Sequence, residues 1–252
     1  MDTKKSPLKD KPLRQAGQSV QEQLDKLFDD KFMIYFLIAG LMIFLTAFEW
    51  YRYYKNLEIN PVAITIISLP VFIFCVYKIF SLIKVIKRLK LGRDGEKIVA
   101  EELEKLRASG SIVFHDIVGD KFNLDHVVLS PKGIYVVETK TYSKPDGRRA
   151  EVKLDGNSIL VDGQLPERDP ITQVKAASVW LHKILAQSTG KKFFVCPVIL
   201  FPGWYVYEEN HPDFMVLNPE RFPKALERKS NMLNENDMTL AAYHLSRYIR
   251  AI

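Results

Sequence analysis

Cysteine is nearly absent from this chain, and its scarcity excludes two chemistries. Of 252 residues only Cys75 and Cys196 are cysteine. Both lie in apolar runs, so neither a disulfide framework nor a cysteine metal site is available. The sequence has no Gly-rich nucleotide loop, no Ser-His-Asp arrangement, and no internal repeat or low-complexity tract. Charge is missing from two places. Residues 32–50 (FMIYFLIAGLMIFLTAFEW) carry none before Glu49, and residues 62–80 (VAITIISLPVFIFCVYKIF) carry only Lys78. Each run is about the length that the hydrocarbon core of a bilayer requires of a helix, roughly 20 residues.

Two such runs in tandem are hard to bury in one soluble core. The sequence therefore predicts a transmembrane α-helical hairpin over residues 32–83, with spans of about 32–51 and 62–83. A cleaved signal peptide fits poorly, because residues 1–31 are polar and no small-residue cleavage site follows the first run. Trp50, Tyr51, Tyr53 and Tyr54 cluster where the first span would reach the interface. Pro70 lies inside the second span, where it is tolerated with a kink, and Lys78 near its end can reach the headgroups. Lys26, Lys31 and other cations precede the first span, and Lys84, Lys87, Arg88, Lys90 and Arg93 follow the second. The connecting loop has only Arg52 and Lys55, which predicts both termini in the cytoplasm and the loop around residues 56–60 outside. Much of the net charge of +6 is juxtamembrane, so topology and anionic lipid explain it before nucleic acid does.

The remainder divides into an N-terminal cytoplasmic segment (1–31), a juxtamembrane linker (84–91) and a soluble domain (92–252). An amphipathic stretch is expected over 20–28. Gly92 and Gly95 interrupt the charged helical pattern of 84–107, which suggests a break near Gly92 and a first domain helix from about Asp94. Three strand-like runs follow at 111–117, 123–129 and 133–138, then a basic loop at 142–149 and a hairpin at 150–161 turning at Asp155-Gly156-Asn157. A helix starting at Pro170 ends near Gly190, with a buried strand at 193–200, a short one at 214–217, and helices near 219–227 and 237–249. This order indicates an α/β domain, a mixed sheet sandwiched by helices.

The chemistry concentrates at Glu138-Thr139-Lys140, which closes the run beginning at Gly133. Residues two apart in a strand share a face, so Glu138 and Lys140 point together. A charged pair ending an apolar strand is costly to bury without a partner. Asp125, in Phe122-Asn-Leu-Asp-His-Val-Val-Leu129, can supply one from a neighbouring strand. Two carboxylates and a lysine make an oxygen-rich pocket suited to a hard divalent cation, with Mg²⁺ the first choice and Mn²⁺ also fitting. Alone, Glu138 and Lys140 also read as an ordinary strand-end ion pair, and Glu96 as a helix N-terminal charge. His126 points to the opposite strand face and reads as a packing or hydrogen-bonding histidine; His115 has no metal-ligand spacing. Lys121, Lys144, Arg148, Arg149 and Lys153 lie near the site in sequence and could track a phosphate backbone, although a solvated loop carries such charges as well. Trp204, Tyr205 and Tyr207 offer faces for base stacking or for surface packing.

Four motifs occur in order: Gly92-Arg-Asp-Gly-Glu96, Asn123-Leu-Asp-His126, Pro131-Lys-Gly-Ile-Tyr-Val-Val-Glu-Thr-Lys140 and Asp169-Pro-Ile-Thr-Gln173. Together, over about residues 92–217, they resemble the nuclease-related domain (NERD) family of the PD-(D/E)XK nuclease superfamily. The resemblance implies a restriction-endonuclease-like fold and metal-dependent hydrolysis of DNA or RNA. It implies metal ligation by Asp125, Glu138 and the Thr139 carbonyl, with Glu96 helping to hold the metal or its water. Lys140 would orient the attacking water and stabilise developing charge, and Gln173 would sit against the site. Leu124-Asp125 stands where the superfamily name has Pro-Asp, as in the family's own Asn-x-Asp-His form. Many related nucleases form homodimers to cut both strands. A non-cutting nucleic-acid-binding module and a membrane scaffold that retain this fold are the alternative expectations.

Overall fold

The computed structural model describes residues 11–57, 60–119, 122–147, 149–207 and 211–251. It separates into two compact units, one spanning Val20–Lys90 and the other combining the chain from Leu91 onward with the described residues up to Ser19.

In the first unit, α1 (Gln18–Leu27) passes through a π-helical turn (Phe28–Phe32) into α2 (Met33–Tyr54). After the connecting loop, α3 (Pro61–Glu104) runs antiparallel to α2. The seam is built of small and hydroxyl side chains. Thr46 Oγ1 meets Ser68 Oγ at 2.6 Å, and Trp50 Nε1 donates to Thr65 Oγ1 at 3.1 Å. Ala39, Ser68 and Cys75 are buried. Apolar helices in lipid associate through such small-residue packing and hydroxyl bonds. Leu37, Phe44, Ile66 and Ile67 point outward. Both helices are long and apolar enough to cross a membrane. Only 6% and 11% of their most apolar windows is buried, unlike the core helix of a soluble domain.

Two boundaries differ from the sequence expectation. The predicted break near Gly92 is absent, since α3 continues through Gly92 and Gly95 to Glu104. Residues 84–91 are thus helix rather than linker, and the division between units falls within α3 after Lys90. The segment 1–31 is likewise not one body, because the described residues up to Ser19 belong with the unit that continues from Leu91. In the loop between the apolar helices, residues 58 and 59 lie outside the described residues.

The second unit is a three-layer α/β/α domain. Its main sheet has five strands in the order β1 (Ile112–Val118), β2 (Asn123–Ser130), β3 (Gly133–Thr139), β6 (Val195–Leu200) and β8 (Met215–Leu217). The first three run antiparallel, and β3, β6 and β8 are parallel. Alternation along the strands divides the core. Val127, Leu129, Ile134 and Val136 face a cluster with Ile171, Val174, Leu181 and Leu185 of α4 (Pro170–Thr189) and Leu245 of α6 (Glu235–Ala251). Val128, Tyr135 and Val137 face the other way, onto Val99 and Leu103 of α3 and Phe222 and Leu226 of α5 (Phe222–Glu227). Helix α4 starts where its caps require. Asp169 accepts from the Ile171 and Thr172 amides, Pro170 supplies a preset φ, and Gly190 ends the helix at φ 71°.

The expected hairpin forms β4 (Glu151–Asp155) and β5 (Ser158–Val161), but outside the main sheet. With β7 (Tyr205–Val206), a strand too short to show in the sequence pattern, it makes a second, three-stranded sheet in the order β5-β4-β7. The single mixed sheet expected from the sequence is therefore two.

Candidate active site

Strand register brings the central acids together. His126 lies opposite Val137 in the β2–β3 ladder, so one step further along Asp125 lies opposite Glu138. Directly opposed residues share a face, here the face on which α4 packs. The Asp125 carboxylate accepts the Thr139 amide at 2.7 Å, and Lys140 Nζ donates to Glu138 Oε1 at 2.6 Å. Lys140 itself is fixed by its backbone amide, which donates to Leu200 O on β6 at 2.9 Å. Its ammonium and the Glu138 carboxylate keep 18% and 14% side-chain exposure, enough for a small ligand to reach both.

Glu96 reaches this end of the sheet from α3, on the opposite face. What permits the approach is Gly95. A Cβ there would stand 1.8 Å from Thr141 Oγ1 and 2.8 Å from Thr141 Cβ, so α3 packs directly onto the chain just past Lys140. The glycine read from sequence as a helix interruption is a close-packing contact within a continuous helix. Gly95→Ala gains helix propensity worth about 1 kcal/mol but overpacks this contact at a cost of about 1–3 kcal/mol. We expect net destabilisation in denaturant melts, partly recovered when Thr141→Gly accompanies it; additive effects of the two changes would refute the contact.

The acids repel one another. Burial, then Asp116, then Glu138 raise Glu96 to about 7, against a small opposing bond from the Gly17 amide. Burial, then Glu138 and Glu96, push Asp125 well above the ordinary carboxylate range. Asp125 keeps some exposure as a residue, but its carboxylate is enclosed deeply enough for desolvation to dominate. Lys140 offsets only part of this repulsion. A hard divalent cation suits such a donor set, since it would neutralise the surplus negative charge. Among the described residues, however, no group of three or more His, Cys, Asp or Glu side chains is drawn together tightly enough to form a ready cation cage.

Asp116 was not among the sequence-predicted residues. It stands in β1 beside the Asp125 register position, 1% exposed, with φ at 49°. An acid in the middle of the apolar run Ile112–Val118 was the available signal, since a buried carboxylate requires partners. The histidines behave as non-ligands: His126 is fully buried on the opposite face, its Nδ1 2.8 Å from His115 Nδ1 and its Nε2 3.3 Å from Thr139 Oγ1. Burial, then His115, hold its pKa well below the ordinary histidine value. His115 bonds Glu104 at 2.9 Å.

Gln173 lies in the first turns of α4, the helix covering the Asp125–Glu138 face, and its Oε1 is buried without a hydrogen-bond partner. Of the candidate substrate-binding cations, Arg149 covers the Tyr205 ring at 3.4 Å and Lys153 the Tyr207 ring at 5.0 Å. Both belong to the small-sheet region, and Lys153 also pairs with Glu151 at 3.4 Å. Lys144 is exposed, beside Gly203. Lys121 and Arg148 lie outside the described residues. Trp204 is core, 3% exposed and bonded to Tyr142 O, which removes it as a stacking face.

With this geometry in place, residues 91–202 match the nuclease-related domain family. A nuclease-related domain is found at these residues. The sequence-predicted catalytic, metal-binding and backbone-tracking residues fall inside that span, and the stacking candidates Trp204, Tyr205 and Tyr207 lie just beyond it. A segment of 56 residues is 39% identical to part of an uncharacterized protein of Bacillus anthracis, covering 20% of this chain and 26% of that protein. The chain thus matches only about a quarter of that relative's length. No solved structure matches the chain.

Proposed function

We propose that the protein is a membrane-anchored, metal-dependent nuclease of the PD-(D/E)XK type, with a restriction-endonuclease-like domain that hydrolyses phosphodiester bonds of DNA or RNA. The observation carrying this reading is the pairing of Asp125 with Glu138 across adjacent strands, with Lys140 bonded to Glu138. Asp125, Glu138 and the Thr139 carbonyl would hold Mg²⁺ or Mn²⁺, with Glu96 holding the cation or its water. Such a cation lowers the pKa of bound water and polarises the phosphate. Lys140 supplies positive charge where the phosphoryl oxygens gain negative charge. Glu96, titrating near 7, can take or return a proton at its carboxylate. Gln173 offers an unused acceptor on the covering helix. Lys144, Arg149 and Lys153, with Lys121 and Arg148, are the cations we assign to the nucleic-acid backbone. The two apolar helices anchor the protein as a two-span hairpin, and the distribution of Lys and Arg puts the nuclease-related domain in the cytoplasm.

The test uses the full chain in detergent with labelled single- and double-stranded DNA and RNA, in Mg²⁺, Mn²⁺ or EDTA. We expect cleavage with cation and none with EDTA. Among the described residues no three His, Cys, Asp or Glu side chains close into a cation cage, which favours a second reading, a nucleic-acid-binding module that does not cut. Salt-sensitive binding that yields no product with either cation would select that reading and reject the nuclease.

A further inference from the structure

The described N-terminal residues close on the same acidic end of the domain, and they do so through buried charge. Arg14 Nε donates to Asp116 Oδ2 at 2.6 Å, the Ser19 amide donates to the same oxygen at 2.9 Å, and the Ser19 hydroxyl donates to Oδ1. Both carboxylate oxygens are therefore engaged by residues about 100 positions earlier in the chain. Asp116 adopts the left-handed backbone region, open to aspartate more readily than to most residues, at the strand position next to Asp125. Between Arg14 and Ser19, Gly17 donates its amide to the Glu96 carboxylate. Gly17 is itself in the left-handed region (φ +70°), and a Cβ there would stand 2.8 Å from Arg93 Cγ on α3. One short segment thus grips Asp116 on β1 and Glu96 on α3 together, and its last residues open α1.

We propose that residues 14–19 form a positioning clasp: docked on Asp116, they hold Glu96 toward Asp125 and Glu138, so that divalent-cation affinity at this site depends on the N-terminal segment. The proposal rests on the cation site proposed above. Asp116 and Gly17 are positioning residues, acting through Glu96. Outer partners that orient metal ligands commonly contribute roughly 10–100-fold in affinity.

The experiment measures Mn²⁺ binding to the full chain in detergent by the loss of the free-ion paramagnetic signal. Variants are R14A/S19A, Gly17→Val, Ser19→Thr and Glu138→Gln, each checked for retained near-UV dichroism. Wild-type protein should show a Mn²⁺ site that Glu138→Gln removes. R14A/S19A and Gly17→Val should each weaken it about tenfold or more. Ser19→Thr, which keeps the hydroxyl, should stay close to wild type. If R14A/S19A loses its fold by leaving Asp116 unpaired, Gly17→Val decides, because it spares every Asp116 bond donor. Unchanged or tighter binding in the folded clasp variants would overturn the clasp while leaving the cation site standing. Absence of a Glu138-dependent Mn²⁺ site in the wild type would overturn the cation site, and the clasp with it.

Discussion

Glu138→Gln and Lys140→Ala are expected to cripple cleavage in different ways. Glu138→Gln keeps the side-chain shape and an oxygen acceptor for Lys140, but removes one of the charges that would attract a cation. Both cation affinity and turnover should fall. Lys140→Ala instead removes an ammonium bonded to Glu138 and leaves the carboxylates more repulsive. Cation affinity should then be kept or increase, while turnover drops by about 10²–10³, the usual cost of losing a group that stabilises transition-state charge. The check is a pair of measurements on each variant: Mn²⁺ affinity, and kcat at saturating Mn²⁺. If Lys140→Ala lost affinity in parallel with Glu138→Gln, Lys140 would be only the structural partner of the glutamate. Cleavage surviving in both variants, and in Asp125→Ala, would remove the nuclease reading.

How much of this was legible in the sequence follows from how local each signal is. Strand-like runs bounded by turn signals located β1, β2 and β3 to within a residue or two of their ends and put Asp125 on a strand next to that of Glu138, while the register that sets the two opposite each other comes from the β2–β3 ladder. The limits of α4 were legible because Asp169-Pro170 and Gly190 act within one turn. The division of the sheets was not. β7 is two residues long and pairs in parallel with β4, more than 50 residues away, leaving no periodic trace. Gly95 was misread because a glycine that weakens a helix locally and one that lets a helix approach another segment look alike until the partner, Thr141, is known, whereas Gly92 has nothing within 4 Å of a Cβ and is simply carried through the helix. Asp116 and its donors escaped for the same reason, since Arg14 and Ser19 bond it across 102 and 97 positions. The site's sheet residues are thus encoded nearby in sequence, whereas its surroundings come from three distant segments.

Those surroundings set the second large effect, which concerns stability rather than turnover. In the cation-free protein Glu96 holds its proton to about 7, whereas an unperturbed glutamate releases it near 4.5. The folded state therefore binds more protons than the unfolded state between these values. Stability must fall as pH rises from about 4.5 to about 7, and lose nothing further from this group above that. At about 1.4 kcal/mol per pH unit the loss is about 3 kcal/mol. Glu96→Gln removes the titration while its amide oxygen can still accept the Gly17 N–H. In EDTA at pH 8 the variant should therefore be more stable than the wild type by up to about 3 kcal/mol, several degrees in melting temperature for a domain of this size. The advantage should shrink steadily toward pH 5. Added Mn²⁺ should reverse the order, because a cation that binds only the folded state stabilises the chain that retains the carboxylate. Thermal melts of the full chain at pH 5 and 8, with EDTA or Mn²⁺, test all three statements. Parallel pH dependence in wild type and variant would show that the proton is held elsewhere in the cluster, with Asp125, also pushed well above the ordinary carboxylate range, the next group to replace.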